Sequence, residues 1–315
     1  MSAVPTIDFA RAATDAGELA RLDAACADHG FFLLANHGLD AEIEAMWEQS
    51  AAFFAAPMAQ KRRVARSADS PLGYYDRELT KRKRDQKEVF DFSPPRNPDQ
   101  DINRWPADRP AFKACLLEFT AAAGNLAAEV LELVYRALTE NTAGLPRGNH
   151  RRSNIRLNYY PVSDPLTAGE RAAVTALGDM ALHHHTDPGI LTLLVQDGVG
   201  GLQTESRSSG WIDVPPVPGT IVVNLGDAMQ VWTNDRYRAA VHRVLPMGGR
   251  ARYSTPYFYN PQPDAVLEPL PPLMAGAEPE FRSFTWREFI QARIDDNYAD
   301  LGADDTQIDN FRIRA

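Results

Sequence analysis

The sequence predicts a mainly β protein with flanking helices, whose core is a double-stranded β-helix (jelly roll). Two observations lead to this fold class. From residue 154 onward, short apolar strands are separated by glycine and proline, a pattern typical of a sandwich or barrel. Elsewhere, apolar residues recur at helical spacing. We expect strands at residues 154–160, 182–187, 190–196, 211–214, 220–224, 241–245 and 252–259.

The composition predicts a single domain. The chain has 315 residues, 44% of them apolar, and no Gly/Ser linker or low-complexity tract divides it. We expect four parts in this domain: an N-terminal α/β region (1–105), a long helix (106–141), a jelly-roll core with a candidate metal site (150–262) and a C-terminal helical segment (263–315).

Helices are predicted on both sides of the β region. Leu19, Leu22 and Cys26 lie on one face of a first helix, a short strand follows at residues 30–34, and Asp40 is a candidate N-cap of a second helix. Between residues 112 and 133, apolar side chains repeat every three or four positions. This stripe predicts a helix of about thirty residues, roughly 45 Å long. We favour its packing along the outside of a sheet over a coiled-coil or dimer face. The tail is helical again at residues 285–290 and 305–311.

His185 and Asp187 begin a candidate metal site. Side chains at positions i and i+2 project from the same face of a strand, so this imidazole and this carboxylate can reach one cation. His242, in the predicted strand 241–245, is the candidate second imidazole. Two histidines and one carboxylate leave coordination positions open, as suits non-haem Fe(II) oxygen chemistry, whereas a structural zinc site takes a fourth protein ligand. A lone His-x-Asp is common by chance, so the context matters.

The segment after His242 is predicted to be a β-hairpin, with residues 246–249 as the turn. Arg252 and Ser254 share one face of the returning strand. The guanidinium offers two parallel donors to a carboxylate, and the hydroxyl adds a third. The hairpin would then hold a metal ligand and an anion clamp side by side. A surface ion pair is the alternative for Arg252.

In these motifs and several others the sequence resembles the iron(II)- and 2-oxoglutarate-dependent dioxygenases, in the branch that includes isopenicillin N synthase. The likeness covers almost the whole chain. The motifs that carry it include residues 4–9, 30–38, 73–74, 158–161, 185–189, 191–197, 200–203, 224–227, 242–244 and 252–254. So many matches, in the order and at the spacing that the family shows, make the resemblance specific.

The resemblance implies roles for individual residues. His185, Asp187 and His242 would bind Fe(II), and Arg252 and Ser254 would hold the distal carboxylate of 2-oxoglutarate. Tyr160 would add a hydroxyl to that carboxylate from the stretch that begins at Asn158. Phe258 matches a position that often lines the substrate pocket. The implied reaction uses dioxygen to hydroxylate or desaturate a small organic substrate, with release of succinate and CO2; a carboxylate at position 187 argues against halogenation.

Other residues near the expected pocket are less well determined. Tyr74, Arg156 and the segment 81–87 are candidates to contact substrate, although a structural ion pair is an equal alternative for Arg156. The basic run at residues 81–84 is interpreted as a solvated loop, with a contact to an anionic substrate as the alternative. His183 and His184 crowd the metal motif, and we expect both to be non-ligands.

Charge and composition limit the partners. The net charge of −9 argues against a nucleic-acid surface. The chain has no continuous run of about 18 apolar residues, so we expect no membrane partner. Cys26 and Cys115 lie in helical patterns and predict no disulfide, and the N-terminus lacks the pattern of a signal peptide. We expect a cytoplasmic monomer or weak homodimer that acts on a small molecule.

Two rival functions stay open at this point. The first is an iron-dependent oxidase of the same fold that does not use 2-oxoglutarate, because such relatives keep an Arg-x-Ser pair for other carboxylates. The second is a non-catalytic metal- or ligand-binding protein. Degenerate relatives of that kind are expected to lose a metal ligand or the anion clamp, and both are intact here.

Overall fold

The computed structural model describes residues 4–67, 70–80, 83–95, 101–246, 248–274, 276–298 and 306–313. Parts of three predictions lie outside these residues: Lys81 and Arg82 of the basic run, Met247 of the predicted turn, and the start of the predicted helix at residue 305. That the four predicted parts form one domain stays a prediction from composition.

The described residues include helices on both sides of the β region. The α-helices, in chain order, are α1 (Phe9–Ala12), α2 (Ala16–Asp28), α3 (Asp40–Phe54), α4 (Met58–Lys61), α5 (Pro110–Leu138), α6 (Ala168–Arg171), α7 (Asp227–Trp232) and α8 (Trp286–Tyr298). Short 3-10 helices lie at Arg62–Val64, His150–Arg152, Pro271–Leu273 and Ile308–Phe311.

The strands are short, as the glycine and proline punctuation predicts. In chain order they are β1 (Thr6–Asp8), β2 (Phe31–Ala35), β3 (Gly73–Tyr75), β4 (Leu79–Thr80), β5 (Lys83–Arg84), β6 (Glu88–Phe92), β7 (Asn154–Tyr160), β8 (Leu182–His185), β9 (Leu191–Gln196), β10 (Leu202–Ser206), β11 (Gly210–Asp213), β12 (Thr220–Leu225), β13 (His242–Val244), β14 (Arg252–Tyr259), β15 (Val266–Leu267) and β16 (Phe284–Thr285).

Two sheets form the jelly roll. The larger sheet runs in the order β1-β2-β12-β9-β14-β7-β6-β3, and the smaller one in the order β11-β10-β13-β8. Every neighbouring pair in these two sheets is antiparallel except β1 and β2. The predicted fold class is confirmed.

The core lies in two layers. Between the sheets, Leu33 and Leu194 of the larger sheet pack with Leu202 and Val244 of the smaller one. On the other side of the larger sheet, its apolar residues pack against α2, α3 and α5. With both faces covered, the central strands are buried almost throughout, so β9 has five consecutive buried residues.

Helix α5 is the 29-residue helix that the apolar stripe predicts. Its length and hydropathy would also allow it to span a membrane, a test that core helices pass as well. Its stripe packs against β9, β14 and the helices α2 and α3. Phe112, Leu116 and Phe119 are at most 2% exposed there. The packing of this helix against a sheet is confirmed.

The structure corrects three local predictions. Strands β13 and β14 do not form a hairpin, because β13 pairs with β8 and β10 in the smaller sheet and β14 pairs with β7 and β9 in the larger one. Strand β8 ends at His185, two residues before Asp187. Helix α3 includes Asp40 in its first turn, and its N-cap is Leu39, without a side-chain cap.

Candidate active site

Three side chains at one edge of the smaller sheet converge on one point. Asp187 Oδ1 lies 3.7 Å from His185 Nε2 and 3.8 Å from His242 Nε2. The ligand atoms of all three lie within 4.8 Å of one another, and the two imidazole rings are 4.3 Å apart. His185 and His242 are cross-strand partners in β8 and β13, which explains their approach.

Backbone carbonyls orient both imidazoles. His185 Nδ1 lies 2.9 Å from the carbonyl oxygen of His183, and His242 Nδ1 lies 3.0 Å from that of Ala240. A nitrogen facing a carbonyl must carry the proton, so Nε2 of each ring keeps its lone pair for a metal. Burial, and then the proximity of His242, lower the pKa of His185, so its neutral, ligating form is favoured.

The carboxylate of Asp187 is held by hydrogen bonds to one oxygen. Oδ2 accepts from Thr192 Oγ1 at 2.6 Å and from Asn224 Nδ2 at 2.8 Å, which leaves Oδ1 facing the histidines. The carbonyl oxygen of Asp187 accepts from the backbone N–H of Asp227 at 2.8 Å. Burial opposes ionisation, but His242, His185 and these hydrogen bonds outweigh it and lower the pKa of Asp187. Asp187 thus reaches the site from a loop fixed by β9 and β12.

We expect Thr192→Val and Asn224→Ala each to weaken Fe(II) binding by about 10-fold to 100-fold, because groups that orient a metal ligand have effects of this size. Competition with a chelator of known affinity measures the change under anaerobic conditions. Thr220→Val is the matched control. Thr220 begins β12, the strand that also contains Asn224, but its hydroxyl donates to the carbonyl oxygen of Val217. Unchanged iron affinity in both variants would contradict the orienting role.

Arg252 is a fully buried cation with no carboxylate partner among the described residues. Its Nη1 donates to Ser254 Oγ at 3.2 Å and its Nη2 to Gln196 Oε1 at 3.4 Å, while Nε is buried without a partner. The guanidinium lies 5.0 Å from the ring centroid of Tyr160. Asn158 Nδ2 donates to Ser254 Oγ at 3.4 Å, and its Oδ1 is unsatisfied. Since an unpaired buried cation is costly, this arrangement fits an anionic ligand.

Both groups open into one cavity of about 790 Å³. The triad, Arg252 and Ser254 line it between the two sheets, and helix α8 contributes a further wall through Trp286 and Ile290. Apolar side chains from both sheets make up much of the rest, among them Leu182, Leu194, Leu202, Val244 and Phe258. A cavity of this size is typical of a small-molecule site.

A buried ion network forms one wall of the cavity. Arg156 donates to Asp91 through Nε at 2.7 Å and Nη2 at 3.0 Å, and to Glu78 through Nη1 at 2.7 Å. Lys87 Nζ lies 2.7 Å from Glu78 Oε2 and 3.3 Å from Asp85 Oδ2. Burial disfavours the charge of Glu78, but Arg156 and Lys87 outweigh it and lower the pKa of Glu78. Arg156 therefore lines the cavity as part of an ion network, the structural alternative that the sequence left open.

We expect Arg156→Gln to lower the free energy of unfolding by about 3 kcal/mol, because removing the guanidinium leaves the carboxylates of Asp91 and Glu78 without one of their charged partners. Denaturant unfolding monitored by circular dichroism measures it. Arg63→Gln is the control, since Arg63 is exposed and lies outside the cavity. Equal stability of the two variants would mean that the network contributes little.

The structure corrects two further predictions. Tyr74 does not line the cavity: it is 1% exposed, and its hydroxyl donates to Glu88 Oε2 at 2.7 Å on the helix side of the sheet. The basic run is not simply a solvated loop, because Arg84 is buried and forms a bidentate pair with Asp164. Lys83, in contrast, is exposed.

The two histidines beside the triad lie outside the metal cluster. His183 bonds to Asp85 at 3.0 Å and Asp179 at 3.2 Å, and the hydrogen bond to Asp85 is the main reason why its pKa is raised. His184 is exposed and lines the cavity. Neither belongs to the group of ligand atoms that lie within reach of one ion.

Comparison with known proteins decides the family. A family model for the 2OG-Fe(II) oxygenase superfamily matches residues 151–261, and one for the N-terminal region of the non-haem dioxygenase in morphine synthesis matches residues 4–108. Gibberellin 2-beta-dioxygenase 2 of Oryza sativa subsp. japonica is 33% identical over 324 residues, which cover 95% of this chain and 86% of that relative. The chain belongs to the 2OG-Fe(II) oxygenase superfamily.

Solved structures of this superfamily agree over the whole fold. A full-length Neurospora crassa protein in complex with alpha-KG, which is 2-oxoglutarate, has a TM-score of 0.78 and 25% identity, covering 93% of this chain and 95% of that one. The rice dioxygenase for auxin oxidation has a TM-score of 0.76 and 25% identity, covering 98% of this chain and 100% of that one. This chain is a 2-oxoglutarate-dependent non-haem iron dioxygenase, with Fe(II) as its metal and 2-oxoglutarate and O2 as cosubstrates.

Some residues of the site were missed by sequence reasoning. Thr192, Asn224 and Gln196 contact the predicted site residues from neighbouring strands. The composition of β9 carried a usable signal, because a polar Thr192 and Gln196 near the two ends of an otherwise apolar strand indicate contacts with polar groups.

Proposed function

We propose that this dioxygenase hydroxylates or desaturates a small organic molecule in the cavity between its sheets, with His185, Asp187 and His242 as the ligands of Fe(II). The single observation that carries the proposal is that these three ligand atoms and the unpaired Arg252 open into the same cavity. Related proteins support a small substrate, since the Neurospora crassa protein has also been solved with thymine and relatives are named for gibberellin oxidation.

The residues of the chain divide the work of the reaction. Fe(II) and 2-oxoglutarate, when bound, supply the oxidation of a C–H bond by dioxygen, with release of succinate and CO2. His185 and His242 offer Nε2, and Asp187 offers Oδ1, from one side of the site. A facial set of this kind leaves the opposite side for reactants.

Arg252 and Ser254 bind the distal carboxylate of 2-oxoglutarate in this proposal. The unsatisfied Nε of Arg252 and its weakly bonded Nη2 offer a two-pronged donor, and Ser254 Oγ adds a hydroxyl. Asn158 steadies that hydroxyl, and the Tyr160 ring packs against the guanidinium. An additional hydrogen bond from the Tyr160 hydroxyl to the carboxylate stays a prediction.

The apolar residues of both sheets and of α8 hold the body of the substrate and exclude water from the site. Phe258, the position that the resemblance assigns to substrate, lines this part of the cavity. The action on a small molecule without nucleic-acid or membrane partners, and the cytoplasmic monomer or weak homodimer, remain predictions from charge and composition.

Succinate formation tests the proposal. The purified chain, reconstituted with Fe(II) and ascorbate, is incubated with 2-oxoglutarate and a panel of small amino, phenolic, terpenoid and indole acids with their amides. We expect succinate to form in equal amount with oxidised product. Product formation at the full rate without added 2-oxoglutarate would overturn the proposal in favour of the oxidase alternative.

A further inference from the structure

The cavity has a surplus of positive charge that the proposed function does not use. Among the residues that the structure describes, eight lysine and arginine side chains line it, against three carboxylates, in a chain whose net charge is −9. One of the three carboxylates, Asp187, belongs to the metal site. The surplus of positive charge is therefore local to the cavity.

Five of the eight cations have partners or an assigned ligand. Arg66, Lys87 and Arg156 pair with Glu78, Asp85 and Asp91 in the buried network, in which three cations meet three carboxylates. A closed network of equal charge has no need of an anion from a substrate. Arg252 serves 2-oxoglutarate. Arg293 donates to the carbonyl oxygen of Thr186 at 2.8 Å and to Gln307 Oε1 at 3.1 Å.

Three cations remain: Arg151, Arg152 and Arg287. All three are exposed and line the cavity, so they lie where it meets solvent. No carboxylate of the described residues lies within ion-pair distance of any of them. They come from two elements, the 3-10 helix before β7 and the first turn of α8. We call these three residues the arginine rim.

We propose that the substrate is an amphiphilic anion whose acid group binds at the arginine rim while its apolar body lies between Leu182, Leu194 and Phe258 near the metal site. The inference rests on the proposed function and adds the class of substrate to it. Arginine is the residue best suited to a carboxylate or a phosphate, because its planar fork donates two parallel hydrogen bonds. A cationic mouth on an acidic protein also attracts anions selectively to the cavity.

A pair of fluorescent dyes tests the rim without activity. Anilinonaphthalene sulfonate and its uncharged parent, N-phenylnaphthylamine, share an apolar body and differ in one anionic group. Each is titrated into the protein with saturating 2-oxoglutarate, so that Arg252 is occupied. The variants are Arg287→Gln and Arg151→Gln/Arg152→Gln, with Arg63→Gln as the matched control, since Arg63 is an exposed arginine on a 3-10 helix outside the cavity.

We expect each rim variant to weaken binding of the sulfonate dye by roughly twofold to fivefold, which is the range for exposed charge pairs. Binding of the uncharged dye should stay unchanged, and Arg63→Gln should affect neither dye. The proposal is overturned if the sulfonate dye does not bind, if its affinity is the same in the rim variants, or if both dyes weaken equally.

An activity arm separates this inference from the proposed function. Carboxylic acids, phosphate monoesters and the primary amides of the same acids are compared for succinate formation above the rate without substrate. We expect acids to exceed their amides by roughly tenfold in kcat/KM, because an amide has no charge to pair with the rim. The rim variants should raise the KM for the acids, and the preferred acid identifies carboxylate or phosphate. Equal turnover of acids and amides would refute the rim and leave the dioxygenase function standing. Product formed without 2-oxoglutarate would refute the function and not the dye result.

Discussion

Asp187→Ala is expected to abolish succinate formation, with a fall of at least about a thousandfold, because it removes the one carboxylate of the proposed metal site. Groups that only orient a metal ligand already change metal affinity or activity by about 10-fold to 100-fold. The loss should be larger here, since two neutral imidazoles alone hold a divalent cation weakly. Turnover with 2-oxoglutarate and the iron content of the reconstituted protein measure the effect. Asp264→Ala, at an exposed aspartate outside the cavity, is the control.

The variant should keep its fold, because its carboxylate sits in a loop and not in the apolar layers. Thr192 and Asn224 lose an acceptor, so a modest drop in stability of about 1–3 kcal/mol is expected. An Asp187→Ala protein that binds Fe(II) as tightly as the parent and still forms succinate would show that the metal lies elsewhere.

Arg252→Gln is expected to raise the KM for 2-oxoglutarate by at least about a hundredfold, since truncating one partner of a buried, charged hydrogen-bonded pair costs about 2–5 kcal/mol. The effect on kcat at saturating 2-oxoglutarate should be much smaller, because the contact that we propose for Arg252 is with the end of the cosubstrate that does not react. The KM of Arg252→Lys for 2-oxoglutarate should lie between those of the parent protein and of Arg252→Gln, since lysine keeps the charge and loses the two-pronged geometry. Initial rates of succinate formation over a range of 2-oxoglutarate concentrations give both constants.

The free energy of unfolding should distinguish Arg252 from Arg156. Arg252 has no carboxylate partner in the described part of the chain, so Arg252→Gln should leave the stability of the protein without 2-oxoglutarate unchanged or raise it. Arg156→Gln should lower it. An Arg252→Gln variant with an unchanged KM for 2-oxoglutarate, or one as unstable as Arg156→Gln, would mean that Arg252 is a structural residue.

The sequence was sufficient to predict those pairs of site residues that lie close together along the chain. His185 and Asp187 are two residues apart, Arg252 and Ser254 lie on one strand face, and each pair has a chemical meaning on its own. The joining of His242 to the first pair depended on the resemblance and on strand pattern. The structure adds that β8 and β13 are neighbours, which brings both imidazoles together.

Predictions that needed the path of the chain between the sheets were wrong or missing. Strands 242–244 and 252–259 are close in sequence and alternate in polarity, so a hairpin was the simplest interpretation, but a jelly roll moves successive strands between opposite sheets. The same crossing brings Asn224 of β12 and Thr192 of β9 to Asp187, contacts between residues that no local pattern connects. Tyr74 was misplaced because one strand face turns to the cavity and the other to the helices, and its aromatic character fits both.

An anaerobic titration of the protein with Fe(II) in the presence of 2-oxoglutarate tests the central claim most directly. We expect the weak visible charge-transfer band of an iron–2-oxoglutarate complex to rise to saturation at one Fe(II) per chain in the parent protein and in Asp264→Ala. The band should be absent from Asp187→Ala and should need far more 2-oxoglutarate in Arg252→Gln. A band of full intensity in Asp187→Ala, or none in the parent protein, would contradict the assignment of His185, Asp187 and His242 as the iron site.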